Sequence, residues 1–239
     1  MVATSKKLIE PPSGERIMLH HLSSDKEGSI KPEQLPKEFY FKKYADITSF
    51  ISYFYQINSV IDAKANTVLE VGIGNRIVST YLRQSGYKVT TFDINKALEP
   101  DVVGDIRNLP FKNNMFDVVL ACEILEHLSF GDVPRSVSEL RRVSRKKVVL
   151  SIPYSCFFVE NVLNIKTPVF QKQLRFGLSF PFFTSEFKRT GEHYWEMGRK
   201  NFQRKEIRRL LEKYFKIASE FQPILNPYHY FFILEKTAD

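Results

Sequence analysis

Hydrophobic and polar positions follow two different rhythms along this chain. Residues 38–62 carry Phe41, Tyr44, Ile47, Phe50, Ile51, Phe54 and Ile57 at helical spacing, which predicts one or two amphipathic helices with this stripe in the core, the alternative being that Phe41, Tyr44 and their neighbours close over a bound ligand. From Thr67 the pattern becomes regular. Short apolar runs at Thr67–Val71, Lys88–Asp93, Val102–Gly104, Phe116–Cys122 and Lys147–Ile152 predict buried strands, the last closed by Pro153. Helical patterns at Ile77–Ser85, with Gly86 as its stop, and at Val133–Ser144 lie between them. Strand and helix in alternation predict an α/β fold, a parallel sheet covered on both faces. Residues 153–200 break the rhythm and crowd Phe157, Phe158, Phe170, Phe176, Phe180, Phe182, Phe183, Phe187, Tyr194 and Trp195 together. Asn201–Tyr214 reads as a basic amphipathic helix, and Phe215–Phe221 with Tyr228–Glu235 as a closing strand pair. Residues 1–36 are polar and proline-punctuated, which predicts a flexible N-terminal arm ahead of a single domain over 37–239.

Composition narrows this only a little. A chain of 239 residues suits one α/β domain with an insertion. The formal charge of +8 favours acidic partners without choosing among them. The two cysteines, Cys122 and Cys156, do not make a disulfide framework, and a reducing cytoplasm is the expected setting. No Cys/His cluster is visible in the sequence, so no metal is expected. No apolar run approaches the roughly 20 residues of a membrane helix.

The chemistry starts at Glu70-Val71-Gly72-Ile73-Gly74, where the first strand turns into a helix. Ligands bind at the carboxyl ends of strands in open α/β sheets, and glycine lets the backbone approach them. Asp93 ends the second strand, where a carboxylate can accept both hydroxyls of a ribose. A dinucleotide would need Gly or Ala at the third position of the turn, for close approach of its pyrophosphate. That position holds the bulky Ile77, so the residues favour S-adenosylmethionine (SAM) over NAD. Asp105 follows the third strand and can accept from an adenine amino group, and Glu123 ends the fourth strand, where the methyl group would face.

These motifs in this order resemble the class I SAM-dependent methyltransferases, in particular the broad small-molecule group of methyltransferase type 11. The matching residues are Glu70–Gly74, Asp93-Ile94, Gly104-Asp105-Ile106 with Leu109-Pro110-Phe111, Phe116–Val119 and Glu126-His127-Leu128. The resemblance implies a Rossmann-like seven-stranded sheet with an antiparallel last strand, N-terminal helices and an aromatic-rich insert after the fifth strand. It implies Glu70, Gly72, Gly74, Asp93, Ile94, Asp105, Ile106 and Glu123 as cofactor residues. Arg76 stands where the pattern has its third glycine, so the turn is expected to bend differently there.

The acceptor side is less explicit. Methyl transfer needs alignment and sometimes a base. His127 is one candidate, the alternative being a packed structural histidine. His193, in Gly191-Glu192-His193-Tyr194-Trp195-Glu196, is a second. Tyr194, Trp195 and Glu196 are candidate substrate contacts, and residues 153–200 a candidate acceptor lid. Cys122 reads as a small buried hydrophobe, not a nucleophile. The expected acceptor is a small metabolite or glycan. Two alternatives stand beside it: an RNA methyltransferase, motivated by the clusters Arg141–Lys147 and Arg199–Arg209, and a non-catalytic SAM-binding module.

Overall fold

The computed structural model describes residues 36–182, 186–187 and 192–237. Most of the expected N-terminal arm, with Phe183 and Gly191, lies outside the described residues.

The sheet forms from the apolar runs in the expected places. Its strands are β1 (Thr67–Val71), β2 (Lys88–Asp93), β3 (Val102–Val103), β4 (Phe116–Cys122), β5 (Ser144–Pro153), β8 (Lys216–Phe221) and β9 (His229–Glu235). They stand in the order β3-β2-β1-β4-β5-β9-β8. The first five run parallel, while β9 is antiparallel to both neighbours. The strand order reverses between β1 and β4, which opens a crevice at their carboxyl ends. Val68, Leu69, Val118, Val119, Val148 and Val149 are wholly buried, as strands covered on both faces require.

The helices are α1 (Lys37–Lys43), α2 (Ile47–Asp62), α3 (Ile77–Gln84), α4 (Val133–Val143) and α5 (Arg204–Glu212). Asp46 caps α2 by accepting from the Ser49 N–H at 2.8 Å. Gln203 and Glu206 form a reciprocal capping box on α5.

Two expectations are corrected. The aromatic stripe of α1 and α2 is not core. Phe41, Ile47, Phe50 and Phe54 are exposed, and α2 turns Ser49, Ser52, Gln56 and Val60 inward. The reason is what α2 packs on. The Asn226 side chain donates to the Thr48 carbonyl at 2.8 Å, and the His229 ring meets Ser52 Oγ at 3.1 Å. An apolar residue at position 52 would leave the His229 ring without this partner.

The turn at Arg76 is also not bent away from the glycine pattern. Arg76 adopts the left-handed conformation itself (φ 64°, ψ 13°) as the N-cap of α3, and its guanidinium lies 3.5 Å from Glu99.

The insert contains regular structure that the sequence reading did not name. β6 (Cys156–Lys166) and β7 (Gln171–Pro181) pair antiparallel as a two-stranded hairpin. Directly opposed residues share a face. One face therefore carries Phe157, Val159, Leu163, Leu174, Phe176, Leu178 and Phe180, all exposed. No described helix is long and apolar enough to cross a membrane.

Candidate active site

The cofactor side is assembled at the ends of β1 and β2. Gly72 and Gly74 both have positive φ, at 78° and 47°. A Cβ on Gly72 would fall 1.9 Å from Ile124 Cδ1, so a side chain here would have to displace Ile124 of the loop after β4 and also hold a positive φ. Asp93 accepts from the Ile73 N–H and the Asn95 N–H, both at 2.8 Å, and ties the turn to the end of β2. Burial raises its pKa while these bonds oppose the rise. Ile94 beside it is exposed and Ile106 buried. Glu70 is buried below the turn, and its Oε2 has no hydrogen-bond partner. Burial pushes its carboxyl up to about 7.

Asp105 is held by Arg107, which donates through its backbone N–H at 2.8 Å and through Nε at 3.0 Å. Arg107, unmarked in the sequence, also reaches Asp132 at 3.1 Å and so ties this loop to the start of α4.

The candidate acceptor residues lie beyond the end of β4. Glu123 has a left-handed backbone (φ 55°), a conformation that clusters at functional sites. Its Oε1 accepts from Ser151 Oγ at 2.7 Å, and His229 Nε2 lies 3.5 Å from Oε2. Burial pushes Glu123 up to about 8 and lowers His229 to about 4. Glu126 and His127 follow in a short 3₁₀ turn, Leu125–His127. Glu126 is fully buried, neither carboxylate oxygen has a hydrogen-bond partner, and its pKa rises well above normal through burial and then through Glu123.

The structure brings His193 to His127, with ring centroids 5.0 Å apart and edge to face. Burial, then the neighbouring His193, lowers His127 to about 4, so it is neutral at physiological pH. Glu196 organises the segment around it. Its carboxylate faces His193 Nδ1 at 3.3 Å, accepts from the Tyr228 hydroxyl at 2.8 Å and also accepts from Ser155. Burial works against its ionisation, but these three partners hold it down at about 2. Tyr194 is partly exposed, and its N–H donates to the Glu126 carbonyl at 2.8 Å. Trp195 is fully buried between Phe130 and Phe202, so it packs the segment onto the core and presents no ring to a ligand.

Sequence reasoning missed Tyr40 and Ser151 as members of this cluster, and named Tyr44, Tyr228 and His229 without bringing them to it. The electrostatics of Tyr40 link it to Asp93, Glu192 and Asn95, and burial first, then Asp93, pushes its hydroxyl up to about 12. Tyr44 is likewise raised by burial and by Glu192. The segment Asn226-Pro227-Tyr228-His229 was the available signal, polar residues leading into an apolar strand. Cys122 is a free thiol whose pKa burial raises far above neutrality, consistent with a packed hydrophobe.

Comparison with known proteins bears on the whole arrangement. Residues 69–152 match the family model described as a methyltransferase domain. Magnesium protoporphyrin IX methyltransferase from Synechocystis PCC 6803, solved with bound S-adenosylhomocysteine, superposes with a TM-score of 0.54 at 16% identity, over 82% of this chain and 87% of that one. The 1,6-didemethyltoxoflavin-N1-methyltransferase of Burkholderia thailandensis gives 0.52 at 15% identity, over 84% and 87%. A SAM-dependent methyltransferase from Clostridium acetobutylicum ATCC 824 gives 0.53 at 10% identity, over 84% and 96%. No curated protein sequence matches the chain. Residues 69–152 thus match a methyltransferase domain, and the chain has the fold of these class I methyltransferase structures. The cofactor of such a domain is S-adenosylmethionine.

Proposed function

We propose that this protein transfers the methyl group of S-adenosylmethionine to a small-molecule acceptor, a metabolite or glycan, held between the loop after β4 and the segment 192–196. The observation that carries this reading is the meeting of His127, His193, Glu196 and Tyr228 beside the glycine turn. When bound, the cofactor supplies an electrophilic methyl group on sulfur.

The residues present fit that cofactor. The unpartnered Glu70 Oε2 suits the ammonium of its methionine end. Each Asp93 oxygen already accepts one backbone N–H and keeps a lone pair for a ribose hydroxyl. Asp105, Ile94 and Ile106 would flank the adenine, and Glu123 the methyl-bearing end.

On the acceptor side His127 and His193 would orient the nucleophile, with Glu196 fixing the ring of His193. Tyr194 would line the approach and Trp195 supports it from the core. The remainder of 153–200 serves as the lid in this reading.

The basic clusters speak against RNA as the acceptor. Arg142 is spent on Glu139 and on the Leu109 and Phe111 carbonyls, Arg145 and Lys146 on Asp117, and Arg208 on Glu212 and Glu220. Cations committed to internal partners make a poor phosphate track.

The test uses methyl-labelled cofactor with the full chain and two fractions of a cell extract. Label is expected in the small-molecule fraction and not in RNA. His193→Ala should remove transfer while cofactor affinity stays within about threefold. Label in RNA alone would replace this reading with the RNA one. Cofactor binding with no labelled product in any fraction would favour a binding module.

A further inference from the structure

Two histidines and one buried carboxylate converge beyond β4 in a way that methyl transfer does not require. Ring nitrogens of His127 and His193 and an oxygen of Glu126 lie within 4.8 Å of one another. His127 Nε2 is 4.0 Å from Glu126 Oε1. Glu126 is fully buried, and neither of its oxygens has a hydrogen-bond partner. A buried carboxylate left in that condition is costly, and it calls for a cation or a donor.

The outer nitrogens of both rings are already engaged. His127 Nδ1 lies 3.4 Å from the Glu192 carbonyl, and His193 Nδ1 lies 3.3 Å from the Glu196 carboxylate. Each contact places the ring proton on Nδ1 and leaves Nε2 with its lone pair. Metal-binding histidines show this pattern, one nitrogen on the ion and the other donating to a carbonyl or carboxylate that fixes the tautomer. Glu196 is in turn fixed by Tyr228 and Ser155, so the support extends a layer further.

From these contacts we infer that Glu126, His127 and His193 bind one divalent first-row transition-metal ion. Two imidazoles and one carboxylate suit Zn(II), Fe(II) or Co(II) better than Mg(II) or Ca(II), which prefer oxygen alone. Donor atoms around such an ion stand about 3–3.5 Å apart, from bond lengths near 2.1 Å. The donors lie within 4.8 Å of one another before any ion draws them together. Three protein ligands leave a coordination position for water or an acceptor oxygen. With the ion in place the two imidazoles act on an acceptor through it, not by taking a proton.

The inference concerns ion binding and stands or falls separately from the proposed function. Full-length, tag-free protein is stripped with a chelator and titrated with Co(II), followed by visible absorption. One equivalent with saturating ligand-field bands, displaced by Zn(II), is the expected result. Glu126→Gln and His193→Ala should each weaken Co(II) binding by 100-fold or more, and Glu196→Gln, which touches the ion only through His193, by about 10–100-fold. Co(II) bound no tighter than to an unrelated protein, or bound equally by the His127→Ala/His193→Ala double variant, overturns the assignment. X-ray absorption on Zn(II)-loaded wild type needs no variant. Two imidazoles with oxygen ligands completing the shell support the site, and a fit with fewer than two imidazoles or with sulfur refutes it. Methylation activity enters neither readout. A chain that binds the ion and methylates nothing still has the site, and a methyltransferase that binds no ion does not.

Discussion

At residue 76 an arginine holds a backbone conformation that glycine takes freely. For an L-residue this costs about 1–2 kcal/mol, offset here by continuity of the turn into α3. Arg76→Gly should therefore leave the melting temperature nearly unchanged, since relief of strain roughly cancels the added freedom of the unfolded chain. Arg76→Val should lower stability by a further 1–2 kcal/mol or so, because a β-branched residue resists that conformation. Thermal unfolding of both variants checks the pair, and equal melting temperatures would contradict it. Gly72→Ala has two faults at once, a positive φ and a Cβ pressed on Ile124. It should weaken cofactor binding at least tenfold in calorimetry while the circular-dichroism spectrum stays native. The sequence made the importance of this turn legible, because glycines at a strand end carry a backbone meaning. It could not show that Arg76 would keep the glycine conformation, since side-chain identity alone argues for the opposite.

Among the elements, β1, β4 and β5 are joined at their starts by one side chain. Asp117 accepts from the Asn66 and Thr67 N–H groups at 2.8 and 3.2 Å and pairs with Arg145 at 2.9 Å. Burial opposes ionisation, yet these partners hold the carboxyl at about 2. A carboxyl depressed on folding stabilises the protein fully above its unfolded pKa near 4, and that contribution fades as pH falls towards 2. Asp117→Asn should cost about 2 kcal/mol at pH 7 and about half of that at pH 3, measured by urea unfolding at the two pH values. An equal cost at both would remove the electrostatic account. The parallel strands were legible because burial on both faces writes a continuous apolar run. Helix α2 was legible as a helix but its orientation was not, because the polar partners it needs, Asn226 and His229, lie far along the chain. The hairpin β6–β7 was illegible for a related reason. Its alternation points at no core, so periodicity had nothing to predict except an aromatic break.

Over the whole molecule, the chain order of motifs declared the fold, while the cluster proposed as the acceptor site is a product of folding alone. Glu126-His127 and His193 meet only because residues 192–196 fold back onto the end of β4, where the Tyr194 N–H binds the Glu126 carbonyl. Trp195 anchors that return. Trp195→Ala should cost about 3–5 kcal/mol and release the segment, which thermal unfolding and faster proteolysis near residue 195 would register. The hairpin poses a different question at this scale, that of colloidal behaviour. Eleven-residue strands reach about 36 Å, and an apolar face of that length with free edges favours self-association. The net charge of +8 opposes it by mutual repulsion. Lysines lose their charge as pH climbs towards 10, so repulsion fades in alkaline buffer first. Light scattering should therefore rise as the buffer goes from pH 7 to 10 and fall again on Phe176→Lys, making this protein one to be handled on the acid side of neutrality.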